Sequence, residues 1–113
     1  STIISECIKS LDMNTACAPT LDMDSSVILY DGNRTSYINR DNIKFVQTPQ
    51  CFHASLLRKI HNSKITGTDE IGVLLRISPN TEIDLILGSE KNKKITTKDD
   101  LIYAKTILLN RKL

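Results

Sequence analysis

The stretch KFVQTPQCFHASLLRKI, residues 44–60, decides the fold class. Its start, residues 44–47, is typical of a strand, and Thr48-Pro49 ends that strand because proline cannot donate to a ladder. From His53 to Ser63 the apolar residues recur at helical spacing, which predicts a helix soon after the strand. A strand followed by a helix is the unit from which α/β domains are built.

The rest of the chain repeats this alternation of helix and strand, so we predict an α/β fold. Only about two core strands are expected besides a hairpin, which leaves the sheet incomplete by comparison with ordinary α/β domains. Four further elements are predicted: a helix from Ile3 to about Asn14, a buried strand Ala16–Pro19 stopped by its proline, a helix Asp69–Ile77 and a strand Glu82–Leu87. A capping box at Thr97–Asp100 opens a last helix, which has Leu101, Ala104 and Leu108 on one face.

A hairpin is predicted between the first buried strand and residue 44. Two β-rich runs, Val27–Tyr30 and Thr35–Ile38, flank the turn residues Asp31-Gly32-Asn33. An Asp-Gly pair between such runs is a strong hairpin signal. The pair is polar enough that we expect it to project from the domain.

Composition and charge exclude several classes of protein. The chain has only five aromatic residues, none of them Trp, which argues against a base-stacking surface for single-stranded nucleic acid. Its net charge of +2 is too small to imply polyanion binding. The lysines at 91–98 are interrupted by acidic residues, so we expect no nucleic-acid partner. The longest apolar candidate for a membrane span is interrupted by Lys105. We therefore expect a cytoplasmic protein without a membrane partner.

The three cysteines, Cys7, Cys17 and Cys51, form neither a CxxC pair nor an even set. This spacing fits neither a disulfide framework nor a zinc site, so we expect free thiols in a reducing cytoplasm and no metal site. The chain has no initial Met and its helical pattern begins at once, which indicates that it is a truncated piece.

Three segments together resemble one enzyme family. Residues 39–52, NRDNIKFVQTPQCF, are followed by Leu56-Leu57, and residues 87–101 read LGSEKNKKITTKDDL, with Thr68-Asp69-Glu70 between them. In order and spacing these segments resemble the 2-C-methyl-D-erythritol 4-phosphate cytidylyltransferases and their ribitol-5-phosphate relatives. The resemblance covers nearly the whole chain.

The resemblance implies a CTP-dependent enzyme that transfers CMP to a polyol phosphate, with Mg²⁺ whose ligands are expected outside this chain. It implies a Rossmann-like nucleotidyltransferase fold with a protruding β-arm, here at about residues 24–47, and a homodimer whose arms reach into the partner's site. Residues 1–113 would be the C-terminal half of a single domain. The glycine-rich CTP loop and the catalytic Arg and Lys would lie in the missing N-terminal half. We therefore expect no catalytic residue in this chain and no turnover by it alone.

The resemblance also suggests which residues bind the acceptor. Arg40 matches an arm arginine that grips the polyol phosphate in the neighbouring subunit, and Thr48 matches a threonine that contacts the same phosphate across the dimer. Lys94 matches a lysine near that phosphate; alternation along a short strand would turn it inward with Asn92. A family threonine falls on Met23 by direct alignment, or on Ser25 after a shift of two residues, and we favour Ser25.

Alternatives to this assignment stay open. Methylerythritol phosphate is the favoured acceptor, with ribitol 5-phosphate as the other candidate. A second hypothesis is a non-catalytic dimerisation or binding module that retains the family's C-terminal half.

Overall fold

Strand β1 (Ala16–Asp22) is the centre of the main sheet, and its first five residues are all buried. The computed structural model describes residues 2–111. Its other elements are α1 (Thr2–Ser10), β2 (Val27–Tyr30), β3 (Thr35–Ile38), a 3₁₀ turn (Arg40–Asn42), β4 (Lys44–Val46), β5 (Cys51–Phe52), α2 (Ala54–Asn62), α3 (Glu70–Ile77), β6 (Asp84–Leu87) and α4 (Lys98–Arg111).

The main sheet is mixed and has four strands among the described residues. Strands β4 and β5 pair antiparallel with β1 along one edge, where Thr20 faces Val46 and Cys17 faces Cys51. Strand β6 pairs parallel with the other edge of β1. Strands β2 and β3 form a separate two-stranded sheet, the predicted hairpin.

Helices cover both faces of β1, because successive side chains of a strand point to opposite faces. Ala16 packs in a cluster with Ile60 of α2 and Leu74 of α3. The neighbouring Cys17 faces α1, where its thiol donates to the Cys7 carbonyl oxygen at 3.4 Å. The predicted α/β architecture is therefore confirmed.

Two predictions about the sheet are wrong. Strand β1 continues through Pro19 to Asp22, and the short strand β5 adds to the core strands that we expected. The Pro19 carbonyl accepts from the Gln47 backbone N–H at 2.9 Å. Because the C=O and N–H of one strand residue point to the same side, the N–H that Pro19 lacks would also point toward Gln47. That side is the gap between β4 and β5, where a ladder donor is not needed.

Helix α4 leaves much of its apolar surface exposed. Leu101 and Leu108, two members of the predicted apolar face, are 45% and 55% exposed, whereas Ala104 is half-buried. None of the helices within residues 2–111 combines the length and the apolar content that a membrane crossing requires.

The predicted capping box at the start of α4 is confirmed. The buried Asp100 carboxylate accepts from the backbone N–H groups of Thr96 and Thr97, both at 3.0 Å, and the Thr97 hydroxyl accepts from the Asp100 N–H at 3.1 Å. Lys93 pairs with the same carboxylate at 3.0 Å. The backbone N–H of Thr96, followed by Lys93, holds the pKa of Asp100 well below its usual range.

We predict that Asp100→Asn lowers stability at neutral pH and that the loss disappears in acid. A carboxyl whose pKa is lowered by folding stabilises the protein above its unfolded pKa of about 4, and this contribution is lost as the pH falls through lower values. Urea unfolding at pH 7 should separate variant from wild type, and at pH 2.5 the two midpoints should approach each other. The exposed neighbour Asp99, changed to Asn, is the matched control. A difference that stays constant between the two pH values would contradict the assignment.

Candidate functional site

The turn at residues 47–50 is held by the side-chain amides at its two ends. Gln47 donates to the backbone carbonyls of Ser89 and Asn92 at 2.9 and 3.0 Å, and it accepts from the Ser89 N–H at 3.2 Å. Gln50 donates to Asp69 at 2.9 Å and accepts from the Ile71 N–H at 3.2 Å. The turn is therefore tied both to the loop after β6 and to the start of α3.

The loop after β6 approaches the same turn closely. Asn92 donates from its side chain to the Thr48 carbonyl at 2.6 Å, and the Gly88 N–H donates to the Thr20 carbonyl at 2.9 Å. A Cβ on Gly88 would lie 2.9 Å from the Thr20 carbonyl oxygen and would collide with the Gln47 amide oxygen. Only glycine lets the loop lie this close.

Thr48 and Lys94 line one open cleft of about 420 Å³, which we call the Thr48 cleft. Both side chains are exposed, so a ligand in the cleft can reach the hydroxyl and the ammonium group. The other lining residues are Pro49, Gln50, Phe52, Leu57, His61, Thr68, Asp69 and Glu70.

The two adjacent lysines have different surroundings. Lys93 pairs with Asp100 and lies 5.9 Å from the centre of the Tyr103 ring, whereas Lys94 lines the Thr48 cleft. The short strand that we expected around Lys94 is absent, since strand β6 ends at Leu87 and residues 92–96 are irregular. The Asp100 cap, rather than strand alternation, holds Lys93 away from the cleft.

Arg40 and Ser25 lie at a second place, the base of the hairpin. The Arg40 guanidinium donates to the Asp24 carbonyl at 3.1 Å, and the Ser25 hydroxyl donates to the Asp24 carboxylate at 3.3 Å. Arg40 lines a cleft of about 360 Å³ that we call the Arg40 cleft, together with Asp22, Met23, Asp24, Asp41 and Lys44. The four predicted residues thus divide into two pairs within one chain: Thr48 with Lys94, and Arg40 with Ser25.

The hairpin itself presents apolar side chains to solvent. Ile28, Tyr30 and Tyr37 are 61%, 63% and 74% exposed. A two-stranded hairpin is marginally stable alone, and exposed apolar patches of this kind mark contact surfaces.

The Thr48 cleft is lined by charged side chains of both signs. Asp69 is engaged by Gln50 and by the Gly72 N–H at 2.8 Å, which makes it the cap of α3, while Glu70 is exposed in the first helical turn. Lys94 is the cation among the lining residues of this cleft. The cleft therefore offers an anion the Lys94 ammonium and the Thr48 hydroxyl, beside the carboxylates of Asp69 and Glu70.

We assign no ligands among the described residues to the Mg²⁺ that the resemblance implies. Mg²⁺ requires oxygen ligands. Within residues 2–111, one group of three His, Cys, Asp or Glu side chains converges closely enough to hold an ion. It consists of Cys7, Cys17 and Cys51, whose sulfur atoms are soft donors. The Mg²⁺ site that the resemblance places outside this chain stays a prediction.

Sequence reasoning missed two parts of this arrangement. The hydrogen bond from Asn92 to Thr48 joins residues 44 positions apart. The one sequence signal for it is that the segments around both residues resemble motifs of the same family. The convergence of the three cysteines was missed as well, because they lie on α1, β1 and β5 and have no metal-binding spacing.

Comparison with known proteins gives a consistent result. The family model described as "IspD: 2-C-methyl-D-erythritol 4-phosphate cytidylyltransferase" matches residues 2–110. The cytidylyltransferase of that name from Bacillus velezensis is 36% identical over 83 residues, which are 69% of this chain and 35% of that protein. The one from Bacteroides fragilis is 30% identical over 108 residues, which are 94% of this chain and 48% of that protein.

Solved structures agree in fold. The 4-diphosphocytidyl-2C-methyl-D-erythritol synthase of Anaerococcus prevotii superposes with a TM-score of 0.84 at 24% identity, covering 96% of this chain and 52% of that one. The Francisella tularensis cytidylyltransferase gives 0.73 at 28% identity, covering 93% and 52%. The architecture is thus the Rossmann-like α/β fold of nucleotidyltransferases, and the chain spans about half or less of these relatives' length. On the family match over residues 2–110, the chain belongs to the 2-C-methyl-D-erythritol 4-phosphate cytidylyltransferase (IspD) family.

Proposed function

We propose that this chain is the acceptor-binding and dimer-forming C-terminal half of a CTP-dependent cytidylyltransferase that acts on 2-C-methyl-D-erythritol 4-phosphate in isoprenoid precursor synthesis. The observation that carries the proposal is the Thr48 cleft, which Thr48 and Lys94 both line beside a turn held by Gln47, Gln50 and Asn92. The family match adds the reaction, because the relatives are named for it.

The reaction joins two anions. A phosphate oxygen of the acceptor forms a bond to the α-phosphorus of CTP, and the bond from that phosphorus to the β-phosphate oxygen breaks, which releases pyrophosphate. Such transfers depend on positioning and on cations near the charged oxygens. Lys94 and the Thr48 hydroxyl hold the acceptor phosphate, and the CTP-binding residues and Mg²⁺ ligands belong to the N-terminal half.

One cation in the Thr48 cleft is too little for a reaction between a phosphate and a triphosphate, and Arg40 of a second subunit supplies another. Its guanidinium uses one donor on the Asp24 carbonyl and retains others for a bidentate contact with phosphate. The exposed apolar hairpin that precedes Arg40 is the surface through which two copies associate. In a two-fold dimer each arm would serve the partner's site.

A cytoplasmic location is part of this proposal. Cys7, Cys17 and Cys51 are free thiols, as is usual in a reducing compartment.

The proposal predicts that the purified 113-residue chain releases no pyrophosphate from CTP with either methylerythritol phosphate or ribitol 5-phosphate. A longer polypeptide that carries an IspD-type N-terminal half before residue 1 should release it, and faster with methylerythritol phosphate. Turnover by the 113-residue chain alone would refute the assignment of the CTP site to other residues. Inactivity of the longer polypeptide with both acceptors would favour a non-catalytic binding module.

In the active longer polypeptide, Lys94→Ala should lower kcat/KM for the acceptor by roughly 10- to 150-fold. A hydrogen bond to a charged group contributes about 1.5–3 kcal/mol, and here it is made to the acceptor phosphate. The KM for CTP should change little. Lys91→Ala is the matched control, since Lys91 belongs to the same lysine-rich run but lines a groove beside α1 instead. Equal losses in both variants would contradict a specific role for Lys94.

Arg40 and Lys94 should complement each other between subunits. Homodimers of Arg40→Ala and of Lys94→Ala should both be impaired, because each site loses one cation. If Arg40 serves the partner's site, a mixed dimer contains one intact site of two, so purified mixed dimers should regain about half of wild-type activity and a random mixture about a quarter. Differently tagged copies, co-expressed and purified through both tags, provide the measurement. Mixed dimers no more active than the homodimers would show that the two residues act within one subunit.

Gly88→Ala should destabilise the chain by about 1–3 kcal/mol, which is the usual cost of overpacking. The new methyl group would press on the Thr20 carbonyl and on Gln47. Because Gln47 is one of the two obstacles, the double variant with Gln47→Ala should lose less than the sum of the single losses. Urea unfolding of the four proteins measures this coupling, and strictly additive losses would argue against the contact.

A further inference from the structure

The three cysteines of the chain converge at one point in the layer between α1 and the sheet. The sulfur atoms of Cys7, Cys17 and Cys51 all lie within 4.8 Å of one another. Cys7 and Cys17 are fully buried, and Cys51 is half-buried. We call this group the sulfur cluster. It is separate from the Thr48 and Arg40 clefts, whose lining residues include none of the three cysteines.

The fold fixes this arrangement through three different elements. Cys17 of β1 and Cys51 of β5 are direct partners across the antiparallel pair, so their side chains share one face of the sheet. That face is covered by α1, and the Cys17 thiol donates to the Cys7 carbonyl at 3.4 Å. The three sulfur donors are therefore brought together before any ligand arrives.

The chemistry of the donors selects the ligand. Thiolate sulfur is soft and binds Cu(I) and Zn(II) in preference to Mg²⁺ or Ca²⁺. Three metal–sulfur bonds of about 2.3 Å in one plane place neighbouring sulfurs about 4 Å apart, so a contraction of at most about 1 Å completes the site. Structural zinc sites use four protein ligands, whereas this group supplies three.

We propose that the sulfur cluster is a binding site for one soft monovalent cation, Cu(I), held by Cys7, Cys17 and Cys51. Binding releases thiol protons to solvent and changes no oxidation state. Because each ligand thiol must lose its proton before it binds the ion, the affinity increases with pH. Cys51, the half-buried member, is the side from which the ion enters.

The test is a titration of the reduced 113-residue chain with Cu(I), without oxygen, in competition with a coloured Cu(I) chelator. We expect one Cu(I) per chain, a first coordination shell of sulfur alone by X-ray absorption, and tighter binding at pH 8 than at pH 6. Zn(II) added in excess should leave the Cu(I) in place. Cu(I) that stays with the chelator, a shell containing nitrogen or oxygen, or displacement by Zn(II) would each overturn the proposal.

Single variants assign the ligands. Cys7→Ala, Cys17→Ala and Cys51→Ala should each weaken Cu(I) binding at least 10-fold, since each removes one of three bonds. Met13→Leu is the control, because it removes a sulfur that is 92% exposed and lies outside the cluster. Cys51→Ala disturbs the core least, and circular dichroism checks its fold. A folded Cys51→Ala chain with wild-type affinity, or an equal loss in Met13→Leu, would contradict the assignment. The readout is binding, so it is independent of the proposed transferase activity.

Discussion

Burial of strand β1 on both faces is the constraint on which the rest of the structure depends. Residues 16–20 are all buried, so the neighbouring elements must cover both faces and both edges of this strand. Helices α2 and α3 cover the face of Ala16, and α1 covers the face of Cys17. The edges are occupied by β6 on one side and by β4 and β5 on the other. The gap between β4 and β5, opposite Pro19, is the place where the turn at residues 47–50 leaves the sheet.

The site follows from that gap. Because the chain leaves the ladder there, the polar groups of the turn need other partners. Gln47 and Asn92 join the turn to the loop after β6, and Gln50 joins it to the cap of α3. These bonds position Thr48 beside Lys94 in a cleft that is open to solvent. Arg40 lies at the base of the hairpin, in a different cleft of the same chain, which is why the proposed site needs a second subunit.

Much of this could be predicted from the sequence where the signals are local. The hairpin followed from Asp31-Gly32, and the start of α4 followed from Thr97 and Asp100, because turn and capping chemistry act over a few residues. Strand β1 was predicted too short, since proline ends a strand only where its missing donor is needed, and that depends on partners distant in sequence. For the same reason the sulfur cluster was not predicted: its members meet only when α1, β1 and β5 pack. The distinct surroundings of Lys93 and Lys94 likewise depend on the Asp100 cap, not on strand alternation.

We propose above all that this chain carries the acceptor-binding residues of its family. Amide NMR of the 113-residue chain, titrated with 2-C-methyl-D-erythritol 4-phosphate, tests it most directly. We expect chemical-shift changes at Thr48, Asn92 and Lys94, with none at Lys91. Saturating additions that leave Thr48 and Lys94 unchanged, or that shift residues elsewhere instead, would contradict it.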